Sequence, residues 1–192
     1  MLAVNLEIEF KNLLHKEEYE QLLHYFSIDK TQVNVQTNIY FDTWEKSLKN
    51  MEAALRIRKK QDAFELTLKT KDPRGALELN QAITQNHYFD LINKGLLIKG
   101  EVYEALVKLA IDPNDLHVIA KLTTKRVEVP YKNGIIFLDE SSYGHVVDYE
   151  LEYEALDYTE GLETFKQFLE LHQIPIRHAQ PKIRRAETQA QT

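Results

Sequence analysis

The stretch Leu55-Arg56-Ile57-Arg58-Lys59-Lys60-Gln61-Asp62-Ala63-Phe64-Glu65-Leu66-Thr67-Leu68-Lys69 alternates apolar and polar residues on both sides of Gln61-Asp62. Leu55 and Ile57 oppose Arg56, Arg58 and Lys60. Phe64, Leu66 and Leu68 oppose Glu65, Thr67, Lys69 and, one step on, Lys71. A period of two is the side-chain repeat of a β-strand, so the spacing predicts strands over Ala53–Lys60 and Ala63–Lys71 joined by a minimal hairpin loop. Residues on one face of a strand stand ~6.6 Å apart. Each strand is therefore a ladder of charge backed by a ladder of hydrocarbon.

The same pattern extends outward. Leu2–Leu14 sets Leu6, Ile8 and Phe10 against Glu7, Glu9 and Lys11. Val33–Phe41 is rich in β-branched and aromatic residues and reads as a strand. Leu116–Pro130 and Ile135–Ser141 flank Lys132-Asn133-Gly134, a hairpin turn signal. Val146–Leu156 carries Asp148, Glu150, Glu152 and Glu154 on one face. Helical spacing marks Glu17–Phe26 and Thr159–His172. Asp42-Thr43 suits the cap of a short helical turn ending near Asn50. From Leu79 to Ala110 the apolar spacing is helical, broken at Lys94-Gly95 and Lys99-Gly100, which predicts a helical insert at about 79–112. The tail after Lys182 is basic and polar. No linker divides the chain, so a single domain over 1–192 is expected. Its class is α+β: an eight-stranded antiparallel β-barrel surrounded by helices.

Composition narrows the function. Among 192 residues there is no Cys, which excludes a disulfide scaffold, a zinc-thiolate site and a thiol nucleophile. No apolar run reaches the ~18 residues of a membrane helix. Acids interrupt Met1–Phe10 where a signal peptide needs an apolar core, so a cytoplasmic protein with no membrane partner is expected. The net charge of −6 argues against broad nucleic-acid binding. The six Gly form no Walker or Rossmann spacing, and the seven His show no metal-ligand spacing.

The charged ladders are sorted by sign. Acids collect at Glu7/Glu9 and Asp148/Glu150/Glu152/Glu154, bases at Arg56/Arg58/Lys60 and Lys69/Lys71. A surface built for solubility intersperses the signs. The helices also need an apolar surface to pack on. If they cover the outside, the charged faces line the lumen. Charge buried there has to be paired, hydrated or coordinated. A lumen with both signs suits a metal polyphosphate, carboxylates holding Mg²⁺ or Mn²⁺ and Arg and Lys holding phosphate.

Glu7-Ile8-Glu9-Phe10-Lys11 resembles the ExExK signature of the CYTH superfamily, the triphosphate tunnel metalloenzymes. Asn38-Ile39-Tyr40-Phe41-Asp42-Thr43 resembles the family's YFDT segment, Leu55-Arg56-Ile57-Arg58 its LRxR strand and Leu66-Thr67-Leu68-Lys69 the TxK strand that follows. Arg126 ahead of Ile136-Phe137-Leu138-Asp139, the strand Tyr149–Glu154 and Gln180–Ala186 also fall in family order. Two departures stand out. Ile183 follows Lys182 where the family usually has Ser. The count from Gly144 reaches Asp148 and Glu150, not Glu150 and Glu152, so either one insertion separates the patterns or Asp148 takes the first role.

The resemblance implies an eight-stranded tunnel and metal-dependent chemistry on a triphosphate. It assigns Lys11, Arg56, Arg58, Lys69, Arg126 and Lys182 to substrate phosphates, and Glu7, Glu9, Asp139, Glu150 and Glu152 to one or two Mg²⁺ or Mn²⁺ ions. Glu7, Glu9, Lys11 and Glu154 form the catalytic set, with Glu9 or Glu154 as general base. Glu65 is expected to pair with a base in the lumen, Lys60 and Lys71 to sit in solvent, and Tyr149 to face outward under a helix. Three functions compete. The first is hydrolysis of a small triphosphate, inorganic or thiamine-linked. The others are a class IV adenylyl cyclase and a non-catalytic polyphosphate or nucleotide binder.

Overall fold

In the computed structural model, which describes residues 4–190, the alternating segments close into one antiparallel barrel. Its strands are β1 (Val4–Leu14), β2 (Asn34–Thr43), β3 (Ala54–Lys60), β4 (Ala63–Asp72), β5 (Gly75–Ile83), β6 (Leu116–Tyr131), β7 (Gly134–Tyr143) and β8 (Val146–Ala155). The order around the barrel is β1-β5-β4-β3-β2-β6-β7-β8, and β8 returns to β1. Residues 2–3 of the expected first strand lie outside the described residues.

One element differs from expectation. Residues Leu79–Ile83 are not helical; they complete β5, a strand of the barrel absent from the sequence reading. The helices of this region are α3 (Gln85–Lys94) and α4 (Glu101–Lys108), and Gly95 ends α3 in the left-handed conformation, at φ 66°. Within β5, Glu78 and Asn80 face the lumen while Leu79 and Ile83 pack outward, a period of two hidden beside the helical apolar spacing that follows.

The barrel is turned inside out relative to a solvated sheet. Leu55, Ile57, Leu66 and Leu68 point outward and pack with Leu91 of α3 and Val102 and Leu106 of α4. On the other side Leu14, Val127, Leu138 and Leu151 pack with Tyr19 and Leu22 of α1 (Lys16–Tyr25) and Phe165, Phe168 and Leu169 of α5 (Tyr158–Leu171). Each such side chain contributes roughly 1.5–3 kcal/mol by leaving water. With the hydrocarbon spent on the helices, the polar faces turn inward. Tyr149 lies outside as expected, its ring 4.9 Å from that of Tyr19.

Two short elements shape one end of the barrel. Asp42 caps α2 (Ser47–Asn50), its carboxylate accepting from the backbone N–H groups of Leu48 and Lys49 at 2.9 and 3.1 Å. The basic tail forms α6 (Lys182–Ala190). Ala186 and Ile183 of α6 pack with Tyr40, Ala120 and Leu122. Where β5 begins, Gly75 lies so close to β1 that a Cβ would stand 2.1 Å from the carbonyl oxygen of Glu7. Only glycine closes the barrel there.

Candidate active site in the barrel lumen

The inward faces enclose a cavity of about 740 Å³. Glu7, Glu9 and Lys11 come from β1, Arg56 and Arg58 from β3, Thr67 and Lys69 from β4. Glu78 comes from β5, Arg126 from β6, Asp139 from β7, Glu152 and Glu154 from β8, and Lys182 from α6. Strand pairing sets them in register: Glu9 opposite Glu154, Lys11 opposite Glu152, and Arg126 opposite Asp139. Three regions differ in their electrostatics.

The first is a closed network of ion pairs. Arg126 donates to both oxygens of Asp139, at 2.7 and 2.6 Å, and to Glu152 at 2.5 Å. Lys182 donates to Asp139, Glu150 and Glu152 at 2.6, 2.6 and 2.5 Å. Arg185 joins Asp148 at 2.5 Å and also binds Glu150. Asp139 and Glu150 are fully buried. Burial acts to lower the Lys182 ammonium, but Glu152, Asp139 and Glu150 hold it well above its ordinary value. Burial and the neighbouring Glu152 push the Glu150 carboxyl up to about 8, against Lys182.

The second region is rich in acid. Lys69 pairs with Glu7 and stands 3.5 Å from Glu78 and 3.8 Å from Glu9. Lys11 pairs with Glu9 and reaches within 3.9 Å of Glu152. Three carboxylates, Glu7, Glu9 and Glu78, thus share Lys69, and a fourth, Glu154, stands opposite Glu9 on β8. Burial and the charge of Glu9 raise Glu7; burial, Glu9 and Glu78 raise Glu154. The buried Glu78 oxygen near Lys69 also stands 3.7 Å from Arg56.

The third region has the opposite imbalance. The Nε of Arg58 donates to Asn38 Oδ1 at 3.0 Å, and no carboxylate of the described residues forms an ion pair with it. Burial, then Arg56 and Arg126, lowers its guanidinium to about 10. The nearest acid to Arg56 is Glu78 at 3.7 Å, and its buried Nε has no partner. Buried cations of this kind need an anion.

The lumen brings together every residue expected for phosphate, the whole expected catalytic set, and Asp139 and Glu152. Glu150 does not line the cavity; Lys182 and Arg185 occupy its oxygens. Glu65 lines the lumen opposite Arg58 without forming an ion pair. Lys71 is exposed and pairs with Glu52, while Lys60 lines the cavity and stands 3.6 Å from Glu128. Sequence reasoning missed Glu78, which lies just ahead of the Leu79 start of the helical reading in a strand left unassigned, and Arg185, which the tail's polarity left without a partner.

The CYTH domain model matches residues 5–186. The chain belongs to the CYTH family. The Bacillus subtilis (strain 168) protein described as "Putative triphosphatase YjbK" is 37 % identical over 184 residues, covering 96 % of this chain and 95 % of that one. A crystal structure from Bacillus halodurans, described as "a putative adenylate cyclase", superposes with a TM-score of 0.91 at 36 % identity, over 94 % of this chain and 97 % of that one. The "Putative adenylyl cyclase HpAC1" from Hippeastrum, said to reveal a dominant triphosphatase activity, has a TM-score of 0.77 at 22 % identity over 96 % of each chain. At that identity the likeness speaks for the fold. The closed barrel with its surrounding helices is the CYTH tunnel fold.

Proposed function

We propose that this CYTH protein hydrolyses a small triphosphate, inorganic or thiamine-linked, inside its barrel with the help of Mg²⁺ or Mn²⁺. The carrying observation is Arg58, a partly buried guanidinium that faces the cavity and forms no ion pair with a carboxylate of the described residues, although Glu65 stands opposite it on β4. An anion supplied by substrate completes it. Arg56 and Arg126 add planar forks suited to phosphate, and Lys11, Lys69 and Lys182 add point charges. The B. subtilis relative's description as a triphosphatase supports the same substrate class.

The acid-rich wall fits a hard divalent cation in donor chemistry. Glu7 and Glu9 offer carboxylate oxygens, one of each now paired with Lys69 and Lys11. Among the described residues no three acidic or imidazole side chains are already arranged to hold a metal ion: the Lys182 ammonium fills the point where Asp139, Glu150 and Glu152 converge, and Lys69 and Lys11 pair with Glu7 and Glu9. Glu7 and Glu9 would therefore hold the ion in competition with these lysines. When bound, the cation supplies charge neutralisation at a phosphoryl oxygen. Phosphoryl transfer needs mainly positioning and charge neutralisation, which the arginines provide from the opposite wall. Glu154, raised by burial and by Glu9 and Glu78, suits a general base for water. Asp139, Glu150 and Glu152 fix Arg126 and Lys182 from behind.

A second activity, cyclisation of ATP, takes support from the description of the B. halodurans structure. The test is a substrate panel. Pure protein with Mg²⁺ or Mn²⁺ is offered inorganic triphosphate, thiamine triphosphate and ATP, and phosphate and cyclic AMP are measured. Phosphate release is expected. Cyclic AMP as the main product would favour the cyclase, and binding without turnover the non-catalytic module.

A further inference from the structure

Lys11 and Asn12 are consecutive on β1 and face opposite ways. Lys11 lines the lumen, while Asn12, only 1 % exposed, faces the segment that leads from α5 to α6. The Asn12 carboxamide uses both its ends. Its Nδ2 donates to the carbonyl oxygens of Pro175 at 3.1 Å and Leu13 at 2.9 Å. Its Oδ1 accepts from the Arg177 backbone N–H at 2.6 Å. The Leu13 N–H donates to the Arg177 carbonyl at 3.3 Å, so the segment lies against β1 like a short extra strand.

The Arg177 side chain makes a second fastening. Its guanidinium donates to both oxygens of Glu18, at 2.7 and 2.9 Å. Glu18 also accepts from the His15 N–H at 2.7 Å, which ties this pair to the first turn of α1. Beyond Arg177 the chain buries Ala179 and reaches Lys182 five residues later. There the Pro181 carbonyl accepts from the Arg184 N–H at 2.8 Å as α6 begins.

The far part of α6 has fastenings of its own: Arg185 on Asp148 and Glu150, and Glu187 on Lys49 at 2.9 Å. Neither fixes the backbone ahead of Lys182. A lysine is a long flexible stem, so the placing of its Cα decides which groups its ammonium can reach. We infer that Asn12 is a positioning residue for Lys182: with the Arg177–Glu18 pair it staples residues 175–177 to β1 and sets how deep Lys182 enters the lumen. One strand thereby registers two phosphate-binding lysines, Lys11 directly and Lys182 through its neighbour. The carboxamide offers donor and acceptor together here; aspartate lacks the donor and alanine lacks both.

The kinetic consequence rests on the triphosphatase reading; the stapling does not. For Asn12→Ala, the KM for inorganic triphosphate with Mg²⁺ should rise about tenfold, the scale of one lost hydrogen bond, with kcat within about twofold of wild type. In a Lys182→Ala background the same change should add almost nothing, because both act through one group. Combined with Arg56→Ala it should multiply. Arg177→Lys should recover part of what Arg177→Ala loses. Independently of turnover, Asn12→Ala and Arg177→Ala should speed amide hydrogen exchange over residues 178–186. Unchanged exchange overturns the stapling. An unchanged KM, or a full tenfold effect on top of Lys182→Ala, overturns the positioning role. If wild-type protein turns over no triphosphate, the triphosphatase reading falls and exchange alone decides the stapling. If Asn12→Ala does not fold, the two Arg177 variants carry every arm of the test.

Discussion

Arg58 and Asn38 face one another across β3 and β2, the guanidinium Nε donating to the amide oxygen at 3.0 Å, and that neutral amide is the only side chain hydrogen-bonded to the cation among the described residues. Removing the arginine removes a partly buried charge that has no ion-pair partner among the described residues. Arg58→Ala should therefore leave the melting temperature unchanged or raise it, while the KM for triphosphate rises about 10- to 100-fold, as for the loss of a charge-assisted hydrogen bond. Thermal melts and steady-state kinetics on one preparation separate the two effects. A marked fall in stability would show that the cation is already satisfied.

Arg126 is the contrasting case. Its guanidinium closes a bidentate pair on the fully buried Asp139. Arg126→Ala leaves that carboxylate to Lys182 alone and should cost about 3 kcal/mol, the low end for breaking a buried pair. Asp139→Asn in the same chain should recover much of the loss. Urea unfolding measures both. A cost under about 1 kcal/mol, the range of surface pairs, would contradict the closed network.

The Glu150 carboxyl gives the stability a pH dependence. Burial and Glu152 raise it to about 8 in the folded chain, from an ordinary 4.5. Between those values the folded state holds a proton that the unfolded state has released. This contribution is complete below about pH 4.5 and is lost as pH rises through about 8. Stability should accordingly fall from pH 5 to 8 in wild type, and Glu150→Gln should flatten that slope. Denaturant midpoints across this range check the sign.

Gly75 tests barrel closure. Its missing side chain leaves room for the Glu7 carbonyl, which a Cβ would approach to 2.1 Å. Gly75→Ala should destabilise by about 1–3 kcal/mol, as overpacking does, and should impair turnover by shifting Glu7. Gly144→Ala, in open space but at φ 57°, should cost stability without touching turnover.

The alternation of Leu55–Lys69 carried most of the fold, because a strand with one charged and one apolar face has only two ways to turn and the helices settle which. β5 escaped for a physical reason. Leu77 and Leu79 fit a strand, but they run into the helical spacing of Leu91, Val102 and Leu106 with only Thr84 between as a cap. Parity placed Asp148, Glu150, Glu152 and Glu154 on one face. It could not rank their depth along the tunnel, which the α6 cations decide: Glu152 and Glu154 line the cavity, and Glu150 is covered by Lys182 and Arg185. The same gap hid the balance of charge. Sequence showed both signs, whereas the excess of acid at Glu7 and Glu9 and of base at Arg58 emerges only once pairs are counted in space. The net charge of −6 counts partners that the fold separates.

The most direct measurement is phosphate release from inorganic triphosphate by wild type and by the Glu7→Gln, Glu9→Gln double variant, with Mg²⁺ or Mn²⁺ and with chelator. Turnover that needs the metal and disappears in the variant, while its circular dichroism spectrum and melt stay those of a folded barrel, is the predicted result. Near-normal turnover by the folded variant, or no release by wild type with either metal, would contradict a metal-assisted triphosphatase in this lumen.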